Sequence, residues 1–334
     1  MKKKVLAALL TVAMTATMIM GCSSGESDEG KNDADSSKKG KAEYAVILKT
    51  QASDFWVKMK DGIEEEAKKL GVTVDVYAAQ NEEDTEGQLK ILENCLEKDY
   101  KAIGVAPLSP VNLIPGIADA TEKGIYVMDI DEKLDMEELK AQGGAVIGFA
   151  TTDNVVVGQK GAEFISKDLK KGSKVAIIEG KAGNVSGENR KQGATEAFEK
   201  AGMEIVGSLP ADWDRQKALD TAASFIQQNP DLKGIYCCND GMALGALQAV
   251  INANKLGEIV VVGTDGDAEA LESVKAEQLS ATVAQDPAEV GAKSLRMMVD
   301  AVKKGDKLDP SVQPEMTPID SNLVTKKNVK DFLK

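Results

Sequence analysis

The 334-residue chain contains no histidine. That removes the commonest general base, the commonest metal ligand and every Ser-His or Cys-His nucleophile pair, so hydrolytic chemistry of those kinds is excluded. Four cysteines in a chain of this length are too few for a disulfide scaffold. Basic residues are also short: 41 Lys and Arg face 54 Asp and Glu, a formal net charge of −13. Such a body disfavours a phosphate-backbone partner, and no nucleic acid is expected. Aromatic residues make up only 4%, so places where they cluster stand out. What is present, 43% apolar and 28% charged residues, is ordinary material for a globular core.

The first stretch reads as an address. Lys2, Lys3 and Lys4 precede an apolar run over 5–20, and Gly21-Cys22 follows; this is the layout of a secretion signal over 1–21, too short for a confident membrane span. The run Ile19-Met20-Gly21-Cys22 resembles the lipobox of bacterial lipoproteins, which implies cleavage before Cys22 and a lipid on that cysteine. Residues 22–42, dominated by Ser, Gly, Asp, Glu, Lys and Asn, have the composition of a flexible tether. The expected location is the outer face of the cell membrane, which is the periplasm if the cell has two membranes.

From Tyr44 onward short apolar strands alternate with amphipathic helices. Strands are expected over 44–48, 72–76, 102–106 and 125–130, with helices over 55–70 and 82–98 and a third ending at Lys123. The rhythm restarts over 174–179, 204–209, 234–237 and 258–263. Trp56, Met59, Ile63, Ala67 and Leu70 fall on one helical stripe. Repetition of βαβ units predicts an α/β protein made of two doubly wound parallel-sheet domains. Ligands of such sheets bind outside the carboxyl ends of the strands, and Lys49, Asp131, Asn239, Asp265 and Gln285 all fall at the tails of apolar runs. Forked Asp, Asn, Gln and Arg groups match the adjacent hydroxyls of a sugar, and aromatic rings match its C–H faces. Phe55-Trp56 opens the first helix and Trp213 follows the strand ending near Leu209.

Several other features read as structural. Residues 180–187 are glycine-rich between a strand and a helix, but fit neither phosphate-loop spacing, and a tight turn is expected. In the Asp129-Ile130-Asp131 segment a calcium loop would need Gly at Leu134 and Glu at Lys140. Cys95, Cys237 and Cys238 sit on apolar stripes and are expected to pack in cores. No metal and no cofactor is expected.

Taken in order, Tyr44-Ala-Val-Ile-Leu-Lys-Thr50, Ala106-Pro-Leu-Ser109, Asp131-Glu-Lys133, Thr151-Thr-Asp-Asn154, Pro210-Ala-Asp-Trp-Asp-Arg215, Val262-Gly-Thr-Asp-Gly266 and Ala281-Thr-Val-Ala-Gln285 resemble the periplasmic pentose and hexose binding proteins of ABC importers, the ribose-binding type. The resemblance runs from about Tyr44 to Thr325. It implies the type I periplasmic binding protein fold with a three-strand hinge near Ala150, Gln285 and Pro318. The lobes would then be 43–150 with 286–318 and 151–285 with 319–334. It also implies a non-enzymatic, monomeric protein that binds an aldose, D-allose or a similar hexose or pentose, and delivers it to a membrane permease. Phe55, Trp56 and Trp213 would enclose the ring, while Lys49, Asp131, Arg190, Asn239, Asp265 and Gln285 would bond its hydroxyls. Lys49 matches the lysine that separates allose binders from ribose binders. Where the family has Asn-Pro before the aromatic pair, this chain has Ser53-Asp54, a shorter contact with an added carboxylate. The alternative on the same fold is a sugar or signal-ligand receptor feeding a chemoreceptor or sensor kinase. A sugar-responsive repressor would need a helix-turn-helix before the first strand, where this chain has its signal and tether.

Overall fold

A computed structural model describes residues 41–312, 314 and 316–333. Cys22, the signal and nearly all of the tether lie outside the described residues.

Two six-stranded sheets organise the chain. In the first, β1 (Tyr44–Leu48), β2 (Val74–Ala78), β3 (Ala102–Val105), β4 (Tyr126–Ile130) and β5 (Phe149–Thr152) run in the order β2-β1-β3-β4-β5, and β11 (Met316–Ile319) closes the edge parallel to β5. In the second, β6 (Lys174–Glu179), β7 (Glu204–Pro210), β8 (Gly234–Cys237), β9 (Val260–Asp265) and β10 (Ala281–Ala284) repeat that order as β7-β6-β8-β9-β10. There β12 (Asn322–Val324) closes the edge antiparallel to β10. Strands β1, β3, β8 and β10 are buried along their whole length, as parallel strands covered by helices on both faces must be. This is why they read as unbroken apolar runs. Cys95, Cys237 and Cys238 are buried free thiols among those cores.

Helix ends follow local chemistry. Asp84, Asp153, Asn184, Asp214, Asn239 and Asp286 each cap a helix with a side chain that accepts a backbone N–H of the first turn. Helix α1 (Asp54–Leu70) stops at Gly71, whose φ of 68° is the left-handed cap that glycine supplies most easily. Some boundaries differ from expectation, two of them for reasons visible in the caps. β2 lies two residues later than 72–76 because Val72 closes the cap of α1 by donating to Ala67. The second helix, α2 (Thr85–Leu96), starts later than 82 because Asp84 caps it.

The chain crosses between the sheets three times: from β5 into α5 (Asn154–Ser166), from β10 into α10 (Pro287–Lys304), and from β11 to β12. Helix α10 packs on α1 beside the first sheet, and α5 packs on α6 (Val185–Ala201) beside the second. The α5–α6 contact is close because glycines face backbone. A Cβ on Gly158 would stand 2.0 Å from the carbonyl oxygen of Arg190, and one on Gly193 would stand 2.0 Å from that of Val155. Gly158→Val should therefore push α6 outward, lowering stability by roughly 1–3 kcal/mol. Urea unfolding would show a lower midpoint at unchanged slope.

Candidate functional site

The carboxyl ends of the two sheets border one cavity of about 350 Å³, at the small end of ligand pockets. From the first sheet's side it is lined by Lys49, Ser53, Phe55, Trp56 and Asp131, and from the second by Arg190, Trp213, Asn239 and Asp265. Gln285 alone of the sequence candidates stays behind this wall. Its Nε2 donates to Asp265 Oδ1 at 2.6 Å, so it positions the carboxylate that lines the cavity.

On the first wall, Lys49 follows β1 and is 3% exposed; its Nζ donates to Glu132 Oε2 at 2.9 Å. Burial opposes its charge, but the carboxylates of Glu132, Asp131 and Glu82 outweigh that and hold its pKa above the ordinary value. Phe55 and Trp56 meet edge to face, ring centroids 4.9 Å apart, and Trp56 Nε1 donates to Glu82 Oε1 at 3.1 Å. Both rings also belong to the core beside α10, so one face of each is fixed by packing. Ser53 stands at the N-cap of α1 without using its hydroxyl as a cap. Asp131 is 5% exposed, and its Oδ1 is buried without a partner in the protein. Burial raises its pKa to about 6, with Lys49 and Arg190 pulling the other way.

On the second wall, Arg190 is held from three sides. Its Nε donates to Asn154 Oδ1 at 2.8 Å, and its Nη1 donates to the Cys238 carbonyl at 2.6 Å and to Asp265 Oδ1 at 3.3 Å. The guanidinium carbon lies 5.8 Å from the centre of the Trp213 ring, within cation–π range. Asn239 Oδ1 accepts the N–H of Met242 at 2.8 Å, which leaves its amide nitrogen as the group able to meet a ligand. Trp213 is seated against Gly180, where a Cβ would fall 2.1 Å from the indole. The backbone is strained in the same place: Asp131, Asp212, Trp213 and Asp265 have φ of 65°, 53°, 62° and 120°, and all four line the cavity. Such conformations cost about 1–3 kcal/mol each and gather at functional sites.

The model of the periplasmic binding protein domain family matches residues 44–307. The chain belongs to that family. Its fold is the type I periplasmic binding protein fold, and its place is among binding proteins of transport rather than enzymes. The D-allose-binding periplasmic protein of Escherichia coli (strain K12) is 56% identical over 286 residues, covering 85% of this chain and 92% of that protein. Ribose import binding protein RbsB of Bacillus subtilis (strain 168) is 32% identical over 289 residues, covering 86% and 90%. A crystal structure of an ABC transporter periplasmic solute binding protein from Actinobacillus succinogenes 130z with bound D-allose superposes with a TM-score of 0.80 at 32% identity. It covers 87% of this chain and all of that one.

Sequence reasoning missed several lining residues in this family member: Asn184 and Ser186 at the start of α6, Asp267 after β9, and Glu82 before α2. It also missed two that act from behind. Asp240 accepts the N–H groups of Gly266 and Asp267, each at 2.8 Å, and the Thr282 hydroxyl at 2.7 Å, which fixes the turn carrying Asp265. Glu132 is fully buried and receives Lys49, Asn184, Val185 and Ser186. Helix-cap grammar at Asn184 was the one available signal for the α6 group.

Asp265 gives a pH test. Burial lifts its pKa to about 7 against the pull of Arg190, whereas an unfolded aspartate titrates near ~3.9. Between those values the folded protein binds more protons than the unfolded chain, so this group's contribution to stability falls as pH rises, and the loss is complete above about 7. Asp265→Asn lacks the titration. Its unfolding free energy relative to wild type should improve by roughly 4 kcal/mol between pH 4 and pH 8, as read from urea titrations at the two pH values.

Proposed function

We propose that the chain is a lipid-anchored extracytoplasmic sugar-binding protein of an ABC importer, taking an aldose, D-allose or a hexose or pentose of similar size, between two lobes that close about a hinge. The observation that carries this reading is the meeting, in one small cavity, of buried Asp131 and Arg190 and part-buried Asp265 with Phe55, Trp56 and Trp213. Charged forks that accept and donate to neighbouring hydroxyls, set beside aromatic faces, fit an uncharged polyol better than an ion or an apolar ligand. Asp131 Oδ1, buried without a protein partner, supports a hydroxyl donor in the ligand. The D-allose named for the relatives in E. coli and A. succinogenes supports the choice of sugar.

In this reading Phe55, Trp56 and Trp213 take the C–H faces of the ring. Lys49, Ser53, Asp131, Arg190, Asn239 and Asp265 bond hydroxyls, and Gln285 holds Asp265. The three crossings after Thr152, after Ala284 and after Ile319 are the hinge, dividing the lobes close to 43–150 with 286–318 and 151–285 with 319–334. Closure buries the sugar and changes the outer surface, which a membrane permease reads. Cys22 carries the lipid, and the protein acts as a monomer.

Tryptophan emission titrated with D-allose, D-ribose and D-galactose tests the assignment. A saturable change with at least one aldose at micromolar concentration is expected, and Trp213→Ala should weaken it by about 10–100-fold, the worth of a stacked ring. Asp265→Ala should abolish binding while the far-ultraviolet dichroism stays native, because Arg190 loses its carboxylate partner. No response to any aldose would remove the assignment.

A further inference from the structure

We propose that Glu132 is the latch and positioning residue of the cleft: a carboxylate from the first lobe that serves as the bound anion at the N-terminus of α6 in the second. The inference rests on the two-lobe reading above and assigns its closing contact. Glu132 follows Asp131 at the end of β4 and is 0% exposed. Its Oε1 accepts the N–H groups of Val185 and Ser186, and its Oε2 accepts Asn184 Nδ2 at 2.8 Å and the Ser186 hydroxyl at 3.2 Å. From its own lobe, Oε2 also accepts Lys49 Nζ at 2.9 Å.

The first N–H groups of a helix have no partner within it, and the summed peptide dipoles place about half a positive charge there. An anion at that end is favoured on both counts. The glycine-rich stretch before α6 lacks phosphate-loop spacing, and the structure fills its helix terminus with a side chain from 52 to 54 residues earlier. Every one of these contacts is between protein atoms. They form when the lobes meet, and those to α6 break when the lobes part, whatever the cavity holds. Other contacts cross the cleft: Lys181 donates to Glu83 at 2.7 Å and to the Glu82 carbonyl at 3.4 Å, and Lys58 donates to the Gly266 carbonyl at 3.1 Å. The Glu83 side chain is 74% exposed, so that pair is screened by solvent and is weak. Glu132 is the sealed contact.

Two roles follow. Glu132 sets how much of the protein is closed before sugar arrives, and apparent affinity scales with that fraction. It also fixes Lys49 against Trp56, whose ring centre lies 5.7 Å from the ammonium, so the lysine is oriented before a sugar meets it.

Amide hydrogen exchange without sugar tests the latch directly. In Glu132→Gln the Val185 and Ser186 amides should exchange about tenfold faster or more, while the amides of β6 and of the middle of α6 keep their protection. Unchanged exchange at Val185 and Ser186 overturns the proposal, and so does a loss spread through β6 and all of α6, which would mark general loosening. Ser186→Ala, on the opposite lobe, should act in the same direction and less than additively with Glu132→Gln. It also serves alone if the glutamine variant fails to fold, and an unchanged result there overturns the latch as well. With a responsive aldose, Glu132→Gln should raise the dissociation rate about tenfold and leave association nearly unchanged; an unchanged dissociation rate counts against it. Exchange needs no ligand, so failure of the sugar assignment and failure of the latch are read separately.

Discussion

The site depends on one buried guanidinium. Arg190 lies 5% exposed between Asn154, the Cys238 carbonyl and Asp265, and a charge in that position is tolerable only while its donors stay occupied. Much of the second sheet's architecture keeps them so. The close α5–α6 contact through Gly158 and Gly193 fixes the height of Arg190. Asn154 opens α5 where the chain arrives from the first sheet, which ties the guanidinium to a crossing strand. Asp265 in turn is steadied by Gln285 at another crossing. The same charge is therefore tied, directly through Asn154 and by way of Asp265 to Gln285, to two of the segments that pass between the sheets.

A second theme is that the walls are built differently. The first wall is core material with its edge exposed, since Phe55 and Trp56 are packed from behind by α10. The second combines Arg190 of α6 with strand ends and the turns that follow them, and its Trp213 and Asp265 lie in backbone conformations that L-residues seldom adopt. Surrounding hydrogen bonds over-determine those loops: Asp240 pins the turn at Gly266 and Asp267, and Asp214 caps the helix after Trp213. Strain and restraint occur together, so the aromatic face and the carboxylate stand ready before a ligand meets them.

Much of the fold was legible because parallel strands buried on both faces carry an unmistakable apolar signature. β6 over Lys174–Glu179 and β8 over Gly234–Cys237 coincide with the expected runs. β9 is displaced to Val260–Asp265 because its pairing with β10 reaches Asp265, beyond the apolar stretch. The strands β11 and β12 were invisible as strands, being four and three residues long with half-exposed side chains. In the site, polar residues at strand tails were readable from position alone. Gln285 sits at the same level as the other strand tails but behind the cavity lining, bonded to Asp265, and position in the sequence does not distinguish those two placements. Glu132 was unreadable for another reason: beside Lys133 it resembles a solvated charge, and its partners lie more than fifty residues away.

The edge strands β11 and β12 have a consequence for how the protein is made. They are separated only by Asp320 and Ser321, yet each completes a different sheet, and Lys160 clasps the link through the Ser321 carbonyl and hydroxyl. Neither sheet can gain its last strand until residues 316–324 have emerged. A nascent polypeptide can thus assemble most of both cores before then, but the two halves become finished objects at the same moment, sealed by one short ribbon.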